Sequence, residues 1–266
     1  MDTTRGQNSS ILYSCYVSRN REGEQFVGEH VFGFQRAGTL TLEDATGKYV
    51  CEPGQFRLVR KNHLVKFIKQ PPPDGAFRSV SLYFDQPTLL AFSREHGYEA
   101  RERQEGSAII ALKPHPLYKS FMDSLLVYET LPVEEQEAVM QLKLKEALLL
   151  LLKVDPDLRQ VLFDFSEPGK IDLEAFMQKN YHFNVELKRF AYLTGRSLAT
   201  FKRDFEKIFH QSPSRWLLQK RLQEAHYLIK EKGAAPSDVY LDVGFEDLSH
   251  FSFAFKKMYG IAPSRL

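Results

Sequence analysis

Short apolar runs alternate with turn-forming residues through the first third of the chain. The runs are rich in Val, Phe, Tyr and Leu, and dipeptides such as Ala37-Gly38, Thr46-Gly47 and Pro53-Gly54 separate them. Many short strands at regular spacing are typical of a β-barrel or a β-sandwich. The predicted strands are 13–17, 30–34, 39–42, 48–51, 56–59, 64–68 and 77–84.

From residue 117 onward the apolar positions recur every three or four residues, which predicts helices. The helix at about 133–153 is apolar on more than one face, because Leu142, Leu149 and Leu152 lie off its main stripe. We therefore expect it to be buried, either in the core of its own domain or against a second copy of the chain. Its main stripe, the candidate dimerisation surface, consists of Met140, Leu144, Leu148 and Leu151.

The last hundred residues contain an internal repeat with a period of about 50 residues. In each copy the apolar residues fall at i, i+4, i+7 and i+8, which is one face of a helix. The matched pairs are Phe201 and Phe251, Phe205 and Phe255, Ile208 and Met258, Phe209 and Tyr259, Pro213 and Pro263, Ser214 and Ser264, and Arg215 and Arg265.

Each copy is preceded by a shorter predicted helix that ends at a glycine, Gly195 in the first copy and Gly244 in the second. Glycine just past a helix allows the left-handed backbone of a sharp turn, and Ser197 or Asp247 can then cap the next helix. Two helices joined by such a turn form a helix-turn-helix unit, whose second helix lies in the major groove of DNA. The sequence therefore predicts two DNA-binding units.

Candidate DNA contacts lie on the outward face of each second helix, where Lys202 and Arg203 can donate to guanine edges or to phosphates. In the first unit the candidates are Ser197, Ala199, Thr200, Lys202, Arg203 and Lys207. In the second unit they are Ser249, His250, Ser252, Phe253 and Lys256. The alternative is that these faces are only solvated surfaces of a helical hairpin, and the matching caps, glycines and Pro-Ser-Arg endings of the two copies argue against it.

A further amphipathic helix, predicted at 213–230, connects the two units. At about 1.5 Å per residue it is roughly 27 Å long. Successive major-groove turns on one face of DNA are roughly 34 Å apart. One chain can thus place both second helices in adjacent major grooves.

The charge distribution agrees with a nucleic-acid partner, although the total charge does not demand one. The 266-residue chain has a formal net charge of +2, but the part from Lys170 onward holds 16 Lys and Arg against 11 Asp and Glu. No apolar run reaches the roughly 18 residues of a membrane span, and residues 1–10 lack a signal-peptide core. Cys15 and Cys51 have no metal-binding spacing, so we expect two free thiols in a cytoplasmic protein rather than a disulfide.

Five stretches of the C-terminal part resemble the AraC/XylS family of bacterial transcription regulators. They are Gly195-Arg-Ser-Leu-Ala-Thr-Phe-Lys-Arg-Asp-Phe, Ser212-Pro-Ser-Arg-Trp, Arg221-Leu-Gln-Glu-Ala, Val243-Gly-Phe-Glu-Asp-Leu-Ser-His-Phe-Ser-Phe-Ala-Phe-Lys-Lys and Gly260-Ile-Ala-Pro-Ser. The resemblance covers about 173–266. It implies a domain that binds promoter DNA and usually activates transcription by contacting RNA polymerase.

The same resemblance assigns base-reading positions, and two departures from the family pattern lie in the second unit. Phe253 stands where the family often has a basic residue, and Tyr240 replaces a small residue of the bracing helix. We therefore expect the first unit to carry most of the sequence specificity. The assigned positions are Ala199, Lys202 and Arg203 in the first unit and Ser249, His250 and Phe253 in the second.

The N-terminal part resembles, through His30-Val-Phe-Gly-Phe, Gly38-Thr-Leu-Thr-Leu and Pro53-Gly54-Gln-Phe-Arg-Leu-Val, the cupin-like sensor domains of that family. Such domains bind a small-molecule or protein effector and form homodimers through a following helix. The expected fold is α+β with two domains. They are a cupin-like β-barrel or sandwich followed by helices at 1–165, a linker at 166–170, and an all-α domain at 171–266 in which a long helix joins two helix-turn-helix units.

Two other interpretations compete with a regulated transcription factor. A cupin-type metalloenzyme needs clustered ligands, typically two His one residue apart with a Glu and a later His. Here His30 and His63 are isolated, and Glu29 and Glu52 are not placed with them, so we expect no metal, no cofactor and no catalysis. A constitutive or architectural DNA-binding protein without an effector stays open, because sensing is inferred from fold analogy alone.

Overall fold

The structure, a computed structural model, describes residues 10–20, 25–102, 104–130 and 133–266, with the backbone alone for 130 and 133–138. It divides into two compact units, one ending at Ser166 and one running from Glu167 to Leu266, with 25–26 grouped with the second. The first unit is built on strands that are followed by helices, and the second is helical. The predicted α+β fold class is confirmed.

Two antiparallel sheets form the framework of the first unit. The described strands are β1 (Ile11–Tyr16), β2 (Phe26–Val27), β3 (His30–Ala37), β4 (Thr39–Asp44), β5 (Gly47–Cys51), β6 (Phe56–Val59), β7 (His63–Leu64), β8 (Lys66–Gln70), β9 (Phe77–Phe84) and β10 (Ile109–Leu112). A five-stranded sheet has the order β1-β9-β3-β6-β10, and a three-stranded sheet has the order β5-β4-β8.

The five-stranded sheet has an apolar core on each face, because successive side chains of a strand point to opposite sides. On one face Phe32 and Leu58 pack with the helices of the first unit. On the other face Val59 and Phe77 pack with Leu42 of the three-stranded sheet. Residues between the two sheets therefore belong to a core of their own.

Four helices of the first unit lie in the described residues. They are α1 (Gln86–His96), α2 (Pro116–Leu126), α3 (Val133–Val154) and α4 (Arg159–Leu162). The helix predicted at about 133–153 is thus present as α3. The strand predicted at 64–68 is divided at Val65 into β7 and β8.

The stripe of α3 that was assigned to dimerisation is buried within its own unit. It consists of Met140, Leu144, Leu148 and Leu151, and none is more than 7% exposed. These side chains are unavailable to a second chain, so the assignment of a dimer seam to them is wrong and the core alternative is right. Leu142 and Leu149, which lie off the stripe, are instead 68% and 44% exposed.

Six helices form the second unit, and they are short except for one. They are α5 (Leu173–Asn180), α6 (Leu187–Leu193), α7 (Leu198–Phe209), α8 (Pro213–Lys232), α9 (Pro236–Asp242) and α10 (Leu248–Tyr259). Within the described ranges, none of the helices combines the length and the apolar character that a membrane crossing requires.

Candidate nucleic-acid interface

The first helix-turn-helix unit consists of α6, a glycine turn and α7. Gly195 has a φ of 64°, and a Cβ built on it would lie 2.4 Å from the carbonyl carbon of Gly169. Only glycine fits both the left-handed backbone and this close approach. The Ser197 hydroxyl accepts a 3.2 Å hydrogen bond from the Thr200 amide and so caps α7, as predicted.

The second unit, α9 and α10, repeats this arrangement. Gly244 has a φ of 94°, and a Cβ on it would lie 2.7 Å from the carbonyl oxygen of His182. The Asp247 carboxylate accepts a 2.6 Å hydrogen bond from the His250 amide, which confirms the second predicted cap. The internal repeat of the sequence is therefore a repeat of turn geometry.

The apolar residues of the repeat face inward in both units. Phe201 and Phe205 of α7 are fully buried, and the ring of Phe205 meets Trp216 of α8 edge-on at 5.5 Å. Phe251 and Phe255 of α10 are buried with residues of α8 in the same way. Burial of this stripe fixes which face of α7 and α10 points outward.

Arg221 of α8 ties the connector helix to the segment between α5 and α6 and to the turn of the second helix-turn-helix unit. Its guanidinium donates three 2.8 Å hydrogen bonds, to the carbonyls of Tyr181, Phe183 and Gly244. Burial lowers the pKa of Arg221 to about 10, so it is still charged at neutral pH. An arginine on an amphipathic helix gives no sequence signal for these distant carbonyls.

Charged side chains brace the first turn. Arg196 Nε donates to Asp204 Oδ2 at 3.1 Å, and this hydrogen bond is the chief cause of the lowered pKa of Asp204. Lys170 lies 3.9 Å from the same carboxylate. Arg203 Nε lies 3.8 Å from Asp204 Oδ1, yet the Arg203 side chain is 65% exposed. Asp204 is therefore hydrogen-bonded to Arg196, and the guanidinium of Arg203 stays open to a partner.

The structure gathers the predicted contacts of the first unit at the start and on the outer face of α7. Those exposed to solvent are Ser197, Ala199, Lys202, Arg203 and Lys207. Thr200 is half-buried and accepts a hydrogen bond from the Ser197 hydroxyl at 3.0 Å. Two of the six residues are thus engaged in the cap.

The predicted contacts of the second unit gather likewise on α10. Ser249, His250, Phe253 and Lys256 are exposed, and Ser252 is half-buried. Phe253 is 69% exposed. The outward face of α10 therefore carries fewer hydrogen-bond donors than that of α7.

The two isolated histidines of the sequence, His30 and His63, lie in the N-terminal compact unit. Among the residues that the structure describes, no three His, Cys, Asp or Glu side chains are placed to hold a metal ion. His30 Nδ1 accepts from the Lys61 amide at 3.3 Å, and burial lowers the pKa of His30 to about 3. Cys15 and Cys51 are both free thiols.

Comparison with known proteins matches both units. Residues 190–266 match a helix-turn-helix domain family, and residues 30–161 match the family of the ExsA N-terminal regulatory domain. The chain is 27% identical over 230 residues to the HTH-type transcriptional regulator ExsA of Pseudomonas aeruginosa, covering 86% of this chain and 82% of that protein. It is 31% identical over 93 residues to the virulence regulon transcriptional activator VirF of Yersinia enterocolitica, covering 35% of this chain but only 34% of that protein.

Among solved structures, apo ToxT from Vibrio cholerae aligns over 98% of both chains, with 14% identity and a TM-score of 0.48. A probable AraC family transcriptional regulator from Rhodopseudomonas palustris aligns with 35% of this chain and 88% of its own, with 26% identity and a TM-score of 0.31.

Proposed function

Because the chain belongs to the AraC/XylS family of DNA-binding transcription regulators, which are not enzymes, we propose that it activates promoters through unequal contacts of its two helix-turn-helix units. The observation that supports this most is the pair of outward helix faces, α7 and α10, held by one connector. Among the candidate contacts, the face of α7 carries the cations Lys202, Arg203 and Lys207, whereas that of α10 carries Lys256 alone besides His250.

The first helix-turn-helix unit, α6 and α7, is proposed to read the bases. The N-terminal part of a recognition helix approaches base edges, and Lys202 and Arg203 can donate to the two acceptors of guanine. Ala199 on the same face suits a thymine methyl group. Ser197, Thr200 and Lys207 are proposed to contact the DNA backbone around them.

The second helix-turn-helix unit, α9 and α10, is proposed to hold the DNA backbone and to add little base specificity. Ser249, Ser252 and Lys256 can bind phosphate oxygens, and His250 can do so when protonated. Phe253 can at most contact a thymine methyl group. The spacing supports simultaneous binding, because the 20 residues of α8 span about 30 Å against the roughly 34 Å between major-groove turns.

The proposal includes a homodimer, with the seam on the exposed face of α3 in place of the buried stripe. Leu142 and Leu149 are seven residues apart, and a spacing of seven keeps two side chains on one face over two turns. Exposed apolar side chains grouped on one face mark interaction surfaces. A symmetric pair of α3 helices would bury both leucines.

The remaining parts of the proposal come from the family. An effector, either a small molecule or a protein, acts on the N-terminal compact unit, and the DNA-bound protein contacts RNA polymerase. The sensing domain is assigned to 1–165, the linker to 166–170 and the DNA-binding domain to 171–266. Because the partner is chromosomal promoter DNA, the proposal includes a cytoplasmic location.

Selection of bound sequences from a random pool of double-stranded DNA tests the proposal with the full-length chain. We expect one enriched site with two contact regions about 10 base pairs apart, the stronger base preferences lying in one of them. The double variant Lys202→Ala/Arg203→Ala should lose those preferences, whereas Arg94→Ala, an exposed arginine of α1, should keep them. No enrichment with the wild type would refute sequence-specific binding, and retention of bent DNA without sequence preference would favour an architectural role.

A further inference from the structure

A buried arginine lies between the two sheets of the first unit. Arg57 on β6 is 3% exposed, and its guanidinium covers the backbone of Gly33, its cross-strand neighbour on β3. A Cβ on Gly33 would lie 2.6 Å from the guanidinium carbon, so the missing side chain makes room for the cation. Arg57 Nη1 lies 3.7 Å from the sulfur of Cys51 on β5. The guanidinium therefore lies between the five-stranded and the three-stranded sheet.

No anion within the described residues compensates this charge. In the part of the chain that the structure describes, Cys51 Sγ is the single hydrogen-bond acceptor of the guanidinium. Burial raises the pKa of the Cys51 thiol, so the sulfur is protonated and neutral at pH 7. Buried charges in proteins are usually paired, because an isolated one loses its hydration without compensation. The other N–H groups of the Arg57 guanidinium can therefore donate to a partner that the chain itself does not supply.

Other polar groups face the same space. Gly33 is in register with Ser81 of β9 on its other side, so Ser81 lies one strand away from the residue that the guanidinium covers. Two residues further along β3, Gln35 is fully buried and its Oε1 has no hydrogen-bond partner. Ser79, in register with Gln35, and Ser81 are 4% and 7% exposed, and their hydroxyls bind no other described residue. A cation and two hydroxyls therefore lie on one face of the five-stranded sheet, within a mainly apolar core.

We propose that the space between the sheets binds a small oxyanion, with Arg57 as its counter-ion and Ser81 as a second donor. A guanidinium donates two parallel hydrogen bonds to a carboxylate or a phosphate, which satisfies both charges at a buried position. Leu40, Leu42 and Phe77 supply the surrounding apolar wall. The inference rests on the proposed function, because it names the chemical class of effector that the first unit receives.

The stability of a variant without Arg57 separates an anion-binding role from a purely structural one. Replacing an unpaired buried charge with an apolar side chain of similar size leaves a protein equally stable or makes it more stable. Arg57→Met should therefore keep or raise the Tm of the full chain in the absence of the anion. A structural Arg57 would make the same variant less stable.

Binding is measured by calorimetry and by Tm with the full-length chain. The probes are sodium acetate, hexanoate, benzoate and phosphate, each compared with sodium chloride at equal ionic strength. At a concentration of about 100 times Kd, an anion that fits should raise the wild-type Tm by roughly 5–10 °C. Arg57→Met should weaken binding roughly 10–100-fold and Ser81→Ala roughly fivefold. Arg78→Met, which removes an exposed guanidinium from the same sheet, should bind as the wild type does.

The outcomes separate this inference from the proposed function. Carboxylate binding without phosphate binding, or the reverse, identifies the source of the oxyanion. The inference fails if no probe binds beyond the chloride control, if Arg57→Met binds equally well, or if Arg57→Met lowers the Tm without anion and Ser81→Ala leaves the affinity unchanged. DNA binding is measured separately on the same samples. Intact DNA binding without anion binding overturns the inference alone, and the converse overturns the proposed function alone.

Discussion

At the scale of single residues, Arg203 is the side chain most suited to reading a base. It is exposed on α7, and its Nε lies 3.8 Å from the Asp204 carboxylate. Arg203→Ala should cost about 1–3 kcal/mol at the cognate site and relax one base preference, without a change in stability beyond about 0.5 kcal/mol. Titrations of cognate and mutated sites measure this, with Arg94→Ala as the control. Equal weakening on every sequence would show instead a contact to phosphate.

Phe253 and Phe251 form a matched pair on α10 that separates surface from core. Phe253 is 69% exposed, whereas Phe251 is fully buried. Phe253→Ala should change unfolding free energy by less than about 0.5 kcal/mol, and Phe251→Ala should cost about 3–5 kcal/mol. Chemical denaturation measures both. DNA selected by the Phe253 variant should differ little from the wild-type site. A large, base-selective loss of DNA affinity would contradict the weak role proposed for the second helix-turn-helix unit.

At the scale of elements, two glycines with the same backbone conformation test how the first turn is packed. Gly195 and Gly233 have φ values of 64° and 65°, but a Cβ on Gly233 meets nothing within 4 Å, whereas one on Gly195 meets the backbone of Gly169. Gly233→Ala should cost about 1–2 kcal/mol for the left-handed conformation alone. Gly195→Ala should cost clearly more and should also weaken DNA binding. Equal losses in denaturation would show that the packing on Gly195 contributes nothing.

The same elements show which features the sequence could predict. The glycine turns, the caps at Ser197 and Asp247 and the connector were predictable because their signals are local. α1 was missed because only Leu89 and Phe92 of it are buried, too few for a visible stripe. β10 was missed because only Leu112 of its four residues is buried, so it lacks the alternating pattern of a half-buried strand. The contacts of Arg221 and Arg57 depend on distant backbone, and no periodicity reports them.

At the scale of the whole molecule, the exposed leucines of α3 test the dimer. Leu142→Glu should convert a dimer into a monomer, because two carboxylates would meet across the seam, and should leave the fold intact since Leu142 is 68% exposed. Leu117→Glu, on an exposed leucine of α2, is the control. Analytical ultracentrifugation measures the mass. Affinity for a promoter with two sites should fall by roughly a hundredfold, because simultaneous binding is lost. A variant that stays dimeric would place the seam elsewhere.

The contact of Gly169 with the turn at Gly195 determines where the N-terminal and C-terminal compact units can be separated in a hybrid regulator. Arg196 donates a 3.0 Å hydrogen bond to the carbonyl of Ile171, and Lys170 lies near Asp204. The last residues before α5 are therefore part of the surface that holds α6 and α7 together. A fusion joined at Ile171 would remove that support, so a foreign sensor should be attached ahead of Glu167, where exchange leaves the turn of Gly195 covered.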